Sequence, residues 1–348
     1  EEAVARVDAA LAYTDRMPER YTRFADGLRR YLAGQANAAV AALDAALATE
    51  PSWSDPWMIL GETYRHLLPG AVPRDSLARA AFLRVVELDP DFTLAHYHLA
   101  EIAVLLGDLD EAQRHAEHFL ASSPDSASAL QLSLALECVG GHAPDWSRAE
   151  GRPDAILQAS TILVRSLDHA ECGLRGYEAY RGSPSADALD YWDSLIGSVS
   201  TLIALGRAVE AEALLRTERE SGNSDADYLT VFAACANGAF ATDARAVIDR
   251  MPAGVGESSD LQLWAKGLWF MHSEDAERLA TVAAELRSRA AHSEARPRTV
   301  VWAAAMTAHA RAMAGDTAGA LEILEGLEPA ASRANLTWSL WDSLAQER

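Results

Sequence analysis

Apolar residues recur along most of this chain at three- and four-residue steps, the spacing of one face of an α-helix. Near the start, Val4, Val7 and Leu11 form an i, i+3, i+7 stripe. It predicts a leading helix within residues 1–19 that closes at Pro18. Later stretches of the same kind cover roughly 154–166, 168–181, 185–205, 208–220, 225–236, 241–250, 259–271, 274–290, 297–314, 317–327 and 333–346. No window alternates apolar and polar residues over a useful length, so no sheet is expected. The rhythm stops at "GGHAPDWSRAEGRPD" (140–154), which is expected to be an irregular break between two parts of the chain.

The helical pattern also repeats at a longer period. Pro51, Pro90 and Pro124 each follow a second helix and lie 39 and 34 residues apart. Three units result: 20–53, 54–92 and 93–126. The first has Gly27 in its first helix, Gly34 in the turn, and Ala39, Leu43 and Ala46 in its second helix. The second has Trp57, Leu60, Gly61 and Tyr64, then Ala78, Phe82 and Val85; the third has Leu99, Ala100, Gly107, Ala112, Ala116 and Phe119. Small residues are needed where two helices cross closely, and large apolar ones fill the space beside the crossing. A further helix is predicted at 127–139, completing an array over 20–139. Residues 155–348 continue the pattern in degenerate form, with turn glycines at Gly206, Gly238 and Gly315. Gly238 to Pro252 and Gly315 to Pro329 are 14 residues, against 17 for Gly34 to Pro51 and Gly107 to Pro124. Two late second helices are therefore expected to be about a turn shorter.

Within "WMILGETYRHLLPG" the order W-x2-L-G-x2-Y resembles the opening of a tetratricopeptide (TPR) repeat. The five extra residues of the second unit fall in "LLPGAVPRDS" (67–76), an inserted loop in which Asp75 or Ser76 can cap the next helix. The resemblance implies an all-α fold, an α-solenoid of TPR and degenerate TPR-like hairpins wound into a right-handed superhelix. It also implies partner binding on the concave face, lined by the first helix of each hairpin. By position, that face would carry Tyr21, Phe24, Leu28 and Tyr31; then Met58, Glu62, Arg65 and His66; then Tyr97, His98 and Glu101. Chaperone-binding members of the family grip a C-terminal carboxylate with Lys, Asn and Arg. Here the matching positions hold Phe24, Leu28, Ile59, Leu94 and His98, so no such clamp is expected. More narrowly, "ADGLRRYLAGQ", "LGETYRHLLPG" and "SRANLTWSLWDSL" look like the helical C-terminal regions of bacterial multidomain signalling proteins. Such regions follow a Ser/Thr kinase, cyclase or DNA-binding domain, which implies a regulatory module. The chain begins Glu1-Glu2 without Met, and we expect it to be a piece of a longer protein.

Composition narrows the partner. Thirty Lys and Arg face 51 Asp and Glu, a net charge of −21, which repels phosphate backbones and anionic membrane surfaces. Neither nucleic acid nor membrane is expected as a partner. Lys266 is the only lysine, which we take as a compositional habit rather than a site. Cys138, Cys172 and Cys235 are far apart, odd in number and without a C-x-x-C, so no disulfide framework and a reducing, cytoplasmic setting are expected.

Candidate chemistry is sparse. There is no P-loop, no G-x-S-x-G elbow and no H-E-x-x-H; "AGVGESSD" lacks the third glycine and the strand of a dinucleotide site. His115 and His118 share a helix face, but His96 and His98 point about 160° apart under helical rotation, so at most one of them can join that pair. We read these histidines as surface or partly buried residues and expect no metal, no cofactor and no catalysis. The expected function is recognition of a protein or peptide segment by a preorganised scaffold. Sensing of a small ligand near 140–154, self-assembly into a homo-oligomer and a metal-dependent enzyme are the alternatives.

Overall fold

Whether two helices close into a hairpin depends on how near their backbones come, and here the residues at the crossing are small. The computed structural model describes residues 2–68, 73–122, 126–291 and 297–326. The helix expected at 333–346, the "SRANLTWSLWDSL" stretch, Pro124, Pro329 and the centre of the 67–76 loop lie outside the described residues. Among these residues the regular structure is eighteen α-helices and short 3-10 turns, with no strand, as the all-α expectation requires.

The chain divides into two units, Glu1–Thr201 and Leu202–Arg348. The first contains α1 (Glu2–Leu11), α2 (Glu19–Leu32), α3 (Ala36–Thr49), α4 (Ser54–Leu67), α5 (Arg74–Leu88), α6 (Thr93–Leu106), α7 (Leu109–Ser122), α8 (Ala127–Val139), α9 (Pro153–Leu163) and α10 (Ala170–Arg181). α11 (Ala188–Ala204) runs across the division. The second holds α12 (Ala208–Glu220), α13 (Asp225–Asn237), α14 (Ala241–Arg250), α15 (Asp260–His272), α16 (Ala276–Ala290), α17 (Pro297–Met313) and α18 (Thr317–Glu325).

In the first unit, α2 pairs with α3, α4 with α5, and α6 with α7; each pair packs on the next, and α2 also touches α4 as α6 touches α8. This is the stacking of an α-solenoid, in which a hairpin buries its apolar face only against its neighbours. We call the even-numbered members of this stack, α2 to α8, the A helices. The repeat positions read from the sequence are the crossings. Ala39, Ala78, Leu43, Phe82, Ala100, Ala112, Ala46 and Val85 are fully buried. A Cβ added at Gly27 would come within 2.8 Å of Leu43, and one at Gly61 would come within 2.8 Å of three atoms of the Phe82 ring. Gly107 ends α6 with a left-handed φ of 71° and Gly238 ends α13 with 69°, a conformation that side chains with a Cβ resist.

Residues 140–152 join α8 to α9 within the first unit. They form a short 3-10 turn at Trp146–Ala149, and Trp146 packs against both the core cluster that holds Leu163 and the one that holds Tyr177. Pro73 precedes α5, which has no side-chain cap, so Asp75 does not perform the capping role expected of it. A correction also applies to the cysteines. Cys138 in α8 and Cys172 in α10, 34 positions apart in sequence, form a disulfide across α9, and Cys235 is the free thiol. A loop of that size removes about 3–4 kcal/mol of chain entropy from the unfolded state. The reducing setting expected above therefore does not follow from the cysteines. Burial pushes the Cys235 thiol up to about 12, which makes it unreactive.

In the second unit α13 pairs with α14, α15 with α16 and α17 with α18, and α15 touches both α13 and α17. Rings from those three helices stack through the core, Phe232 on Trp264 at 6.4 Å and Trp264 on Trp302 at 5.6 Å. The shorter late helices are present: α14 has 10 residues and α18 has 9, against 14 in α3 and α7. No helix of the described residues is long and apolar enough to cross a membrane.

Replacing Gly61 by Leu will overpack the α4/α5 crossing and lower stability by about 1–3 kcal/mol in chemical denaturation. An unchanged transition midpoint would remove Gly61 from the crossing.

Candidate functional site

Side chains three and four residues apart share a helix face. On α4 this groups Glu62, Arg65 and His66; on α6 it groups His98 and Glu101. Because the A helices stack at a fixed repeat, these faces meet, with Tyr31 of α2 on one side and Gln131 of α8 on the other. The outcome is a polar chain that runs across four A helices. Tyr31 Oη donates to Glu62 Oε2 at 3.2 Å. His98 lies between two carboxylates, its Nε2 2.5 Å from Glu62 Oε1 and its Nδ1 3.1 Å from Glu101 Oε2. Glu101 also accepts from Arg65 Nη2 at 3.2 Å and from Gln131 Nε2 at 2.8 Å, and Tyr97 Oη donates to Gln131 Oε1 at 2.9 Å. Arg65 Nη1 reaches Asp75 Oδ1 at 3.2 Å, and Arg165 donates to the other Asp75 oxygen at 2.8 Å.

Three carboxylates thus face two arginines and His98. Burial alone would push the His98 pKa down, but the bonds to Glu101 and Glu62 outweigh it and raise the pKa from 6.5 to about 9. Burial would likewise push Glu101 up; its bond from His98 and the Arg65 charge hold it at about 2 instead of 4.5. Tyr31 and Tyr97 are driven well above the usual phenol range, by burial and then by the carboxylates beside them.

The residues expected on the partner face divide by exposure. Met58, Arg65, Tyr97, His98 and Glu101 are buried between hairpins; Arg65 and His98 bond to Glu101, and Tyr97 bonds to Gln131. Phe24, Leu28, Tyr31 and Glu62 are half-buried, and His66 is exposed. Tyr21 is 40% exposed. It sits edge-on to Trp53 at 5.2 Å, and Phe24 lies 4.8 Å from the same indole, so these three rings form one aromatic patch at the start of the array. Leu94, at the position in α6 that Tyr21 holds in α2, is 46% exposed. Sequence position alone gave no sign of Gln131, Asp75 or Arg165, because each comes from a different hairpin or linker.

The other histidines separate as the helical rotation requires. His96, not His98, joins the α7 pair: its Nδ1 is 2.9 Å from His115 Nδ1, and its ring stacks on His118 at 4.4 Å. Burial, with His96 next, lowers His115 to about 4, so that imidazole is neutral. In the second unit, a cavity of about 410 Å³ is lined by Met251, Trp269, Phe270, Val282, Lys266 and Arg278. Lys266, the single lysine, is buried; its Nζ donates to Pro252 O and, at 2.9 Å, to Ser258 Oγ, which clips the 252–258 loop to α15.

Fold and site together define a helical-repeat protein built from stacked hairpins. No family model matches the chain. It is similar in sequence to Superkiller complex protein 3 of Mus musculus, 31% identical over 144 residues, 41% of this chain and 9% of that protein. Tetratricopeptide repeat protein 37 of Xenopus laevis is 31% identical over 132 residues, 36% of this chain and 8% of that one. The chain thus spans less than a tenth of the length of these relatives. Among solved structures it resembles a tetratricopeptide repeat protein from Parabacteroides merdae (12% identity, 94% of this chain, 91% of that one, TM-score 0.37). It also resembles the TPR domain of P58(IPK) (15%, 94% and 97%, TM-score 0.33). The hairpin stack described above stands on the helices of this chain, independently of those superpositions.

Replacing Glu101 by Gln strips the counter-charge from His98 and Arg65 and will cost about 3–5 kcal/mol of stability. The same change at exposed Glu117 will cost under about 0.5 kcal/mol. Stability will also follow pH in chelator-treated protein. The raised His98 pKa adds stability that is complete below 6.5 and is lost as pH climbs through about 9; the lowered Glu101 pKa adds stability present above 4.5 and lost toward about 2. Melting curves will therefore decline from pH 6.5 to 9, and His98→Gln will flatten that alkaline limb.

Proposed function

We propose that this chain is a non-catalytic interaction module that holds a segment of another protein against the A-helix side of its first hairpins. In this reading it is the regulatory part of a larger signalling protein. The observation that carries the reading is the solvent-facing aromatic patch of Tyr21, Phe24 and Trp53, with Leu94 exposed at the matching helix position. Aromatic anchors of this kind carry much of the energy in protein recognition. The polar chain between the A helices supports the same reading from within. Its charges are already paired, so the A helices are held in place before a partner arrives, and little ordering is lost on docking. Glu62, Glu101 and Arg65 act here as internal braces, and direct polar contacts fall to exposed groups such as Asp55 and His66. The net charge of −21 favours a segment with basic residues beside its apolar anchors. The similarity to two repeat proteins, one of them named as a member of a complex, supports an interaction role.

The test pairs Tyr21→Ala with Leu94→Arg, both at exposed positions. Partners captured by the parent chain and identified by mass spectrometry should bind the double variant at least about tenfold more weakly. Melting temperatures of the two proteins should agree. Equal capture by both would overturn the proposal, and so would light scattering showing that the captured species is a second copy of the chain.

A further inference from the structure

The same polar chain holds a second, separate opportunity at its solvent end. Glu62, His66 and His98 each bring one ligand atom to a common point, all within 4.8 Å of one another. Glu62 bridges the two rings: Oε1 is 2.5 Å from His98 Nε2 and Oε2 is 3.3 Å from His66 Nε2. Glu62 and His66 are four residues apart on one face of α4, while His98 comes from α6. Any ion held by the three would therefore tie two successive hairpins together.

Two further observations point to a ligand. The first is behind the site. His98 Nδ1 is held by Glu101 Oε2 at 3.1 Å, and Glu101 is itself fixed by Arg65 and Gln131. A carboxylate behind an imidazole, turning its other nitrogen toward a fixed point, is the arrangement that orients metal-binding histidines. The second is in front of it. The His98 side chain is 7% exposed and Glu62 13%, but His66 is 47% exposed, so the cluster opens to solvent on one side. That opening supplies an entry path and room for a water.

We propose that Glu62, His66 and His98 form a site for one divalent transition-metal ion of the Zn²⁺ type, with water as the fourth ligand and Glu101 as the positioning residue behind His98. Two imidazoles and one carboxylate suit Zn²⁺ better than Mg²⁺ or Ca²⁺, which take oxygen ligands. The proton between His98 Nε2 and Glu62 leaves to solvent as the ion enters. The ion then replaces one ion pair by two metal–nitrogen bonds and one metal–oxygen bond. Bound there, the ion clamps α4 to α6. The site does not depend on the interaction function proposed above and can fail or stand without it.

The experiment uses the full chain, stripped with chelator and titrated with ZnCl₂ by calorimetry, with Co²⁺ absorption as a report on imidazole ligation. One ion per chain should bind and raise the melting temperature. His66→Ala, at an exposed position that leaves the fold intact by circular dichroism, should weaken binding at least about tenfold. His118→Ala, in the other histidine group, should leave the affinity unchanged. Three results would overturn the proposal: no saturable binding to the parent chain, only weak binding of several ions per chain, or an affinity that His66→Ala leaves intact. A loss of binding in His118→Ala but not in His66→Ala would do the same.

Discussion

The close crossing of paired helices is the constraint on which the rest depends. At Gly61 the backbone of α4 comes so near α5 that Phe82 occupies the space a Cβ would need. Gly27 stands in the same relation to Leu43. Each such crossing sets the distance and angle of one hairpin. Because the crossings recur at nearly the same sequence interval, successive hairpins present equivalent faces to each other. A hairpin alone leaves one face apolar and bare, so stacking is its only route to a buried core.

That stacking has an electrostatic consequence. It brings Glu62, His98, Glu101 and Arg65 out of water together, with half-exposed Asp75 at the edge, and a charge removed from water is tolerated only beside opposite charge and with its hydrogen bonds made. The chain meets this with alternation: carboxylate, imidazolium, carboxylate, guanidinium, carboxylate. Such a network stabilises less than an apolar core of the same volume. What it supplies is register, since a hairpin displaced from its neighbour would leave one of these charges alone. Under the function proposed above, the same network braces the helices that carry the docking surface, and its open end, at His66, has the donor set of the proposed metal site.

The second unit reaches a similar stack by different means. Its core is built on the Phe232, Trp264 and Trp302 rings, and Gly267 leaves room for Met306 as Gly61 does for Phe82. The Cys138–Cys172 bond serves the region where the motif first fails, fastening α8 to α10 across α9.

The local pattern was enough to determine the helices, their pairing and the crossing residues, because a hairpin is made by residues near one another in the chain. α12 and α14 coincide with the ranges read from periodicity, and Ala39, Ala78 and Ala112 are buried where the repeat requires small side chains. Which helix faces carry polar residues was legible too, since Glu62, His98 and Glu101 are placed by the three- and four-residue step alone. Their burial was not. Whether a glutamate on an A helix meets water or a histidine depends on the next hairpin. Glu101 has partners from 36 residues before it and 30 after it, through Arg65 and Gln131. The disulfide was hidden for the same reason: Cys138 and Cys172 are neighbours only because α9 folds between them. Periodicity specifies what each helix offers, and only the packed stack decides what accepts it.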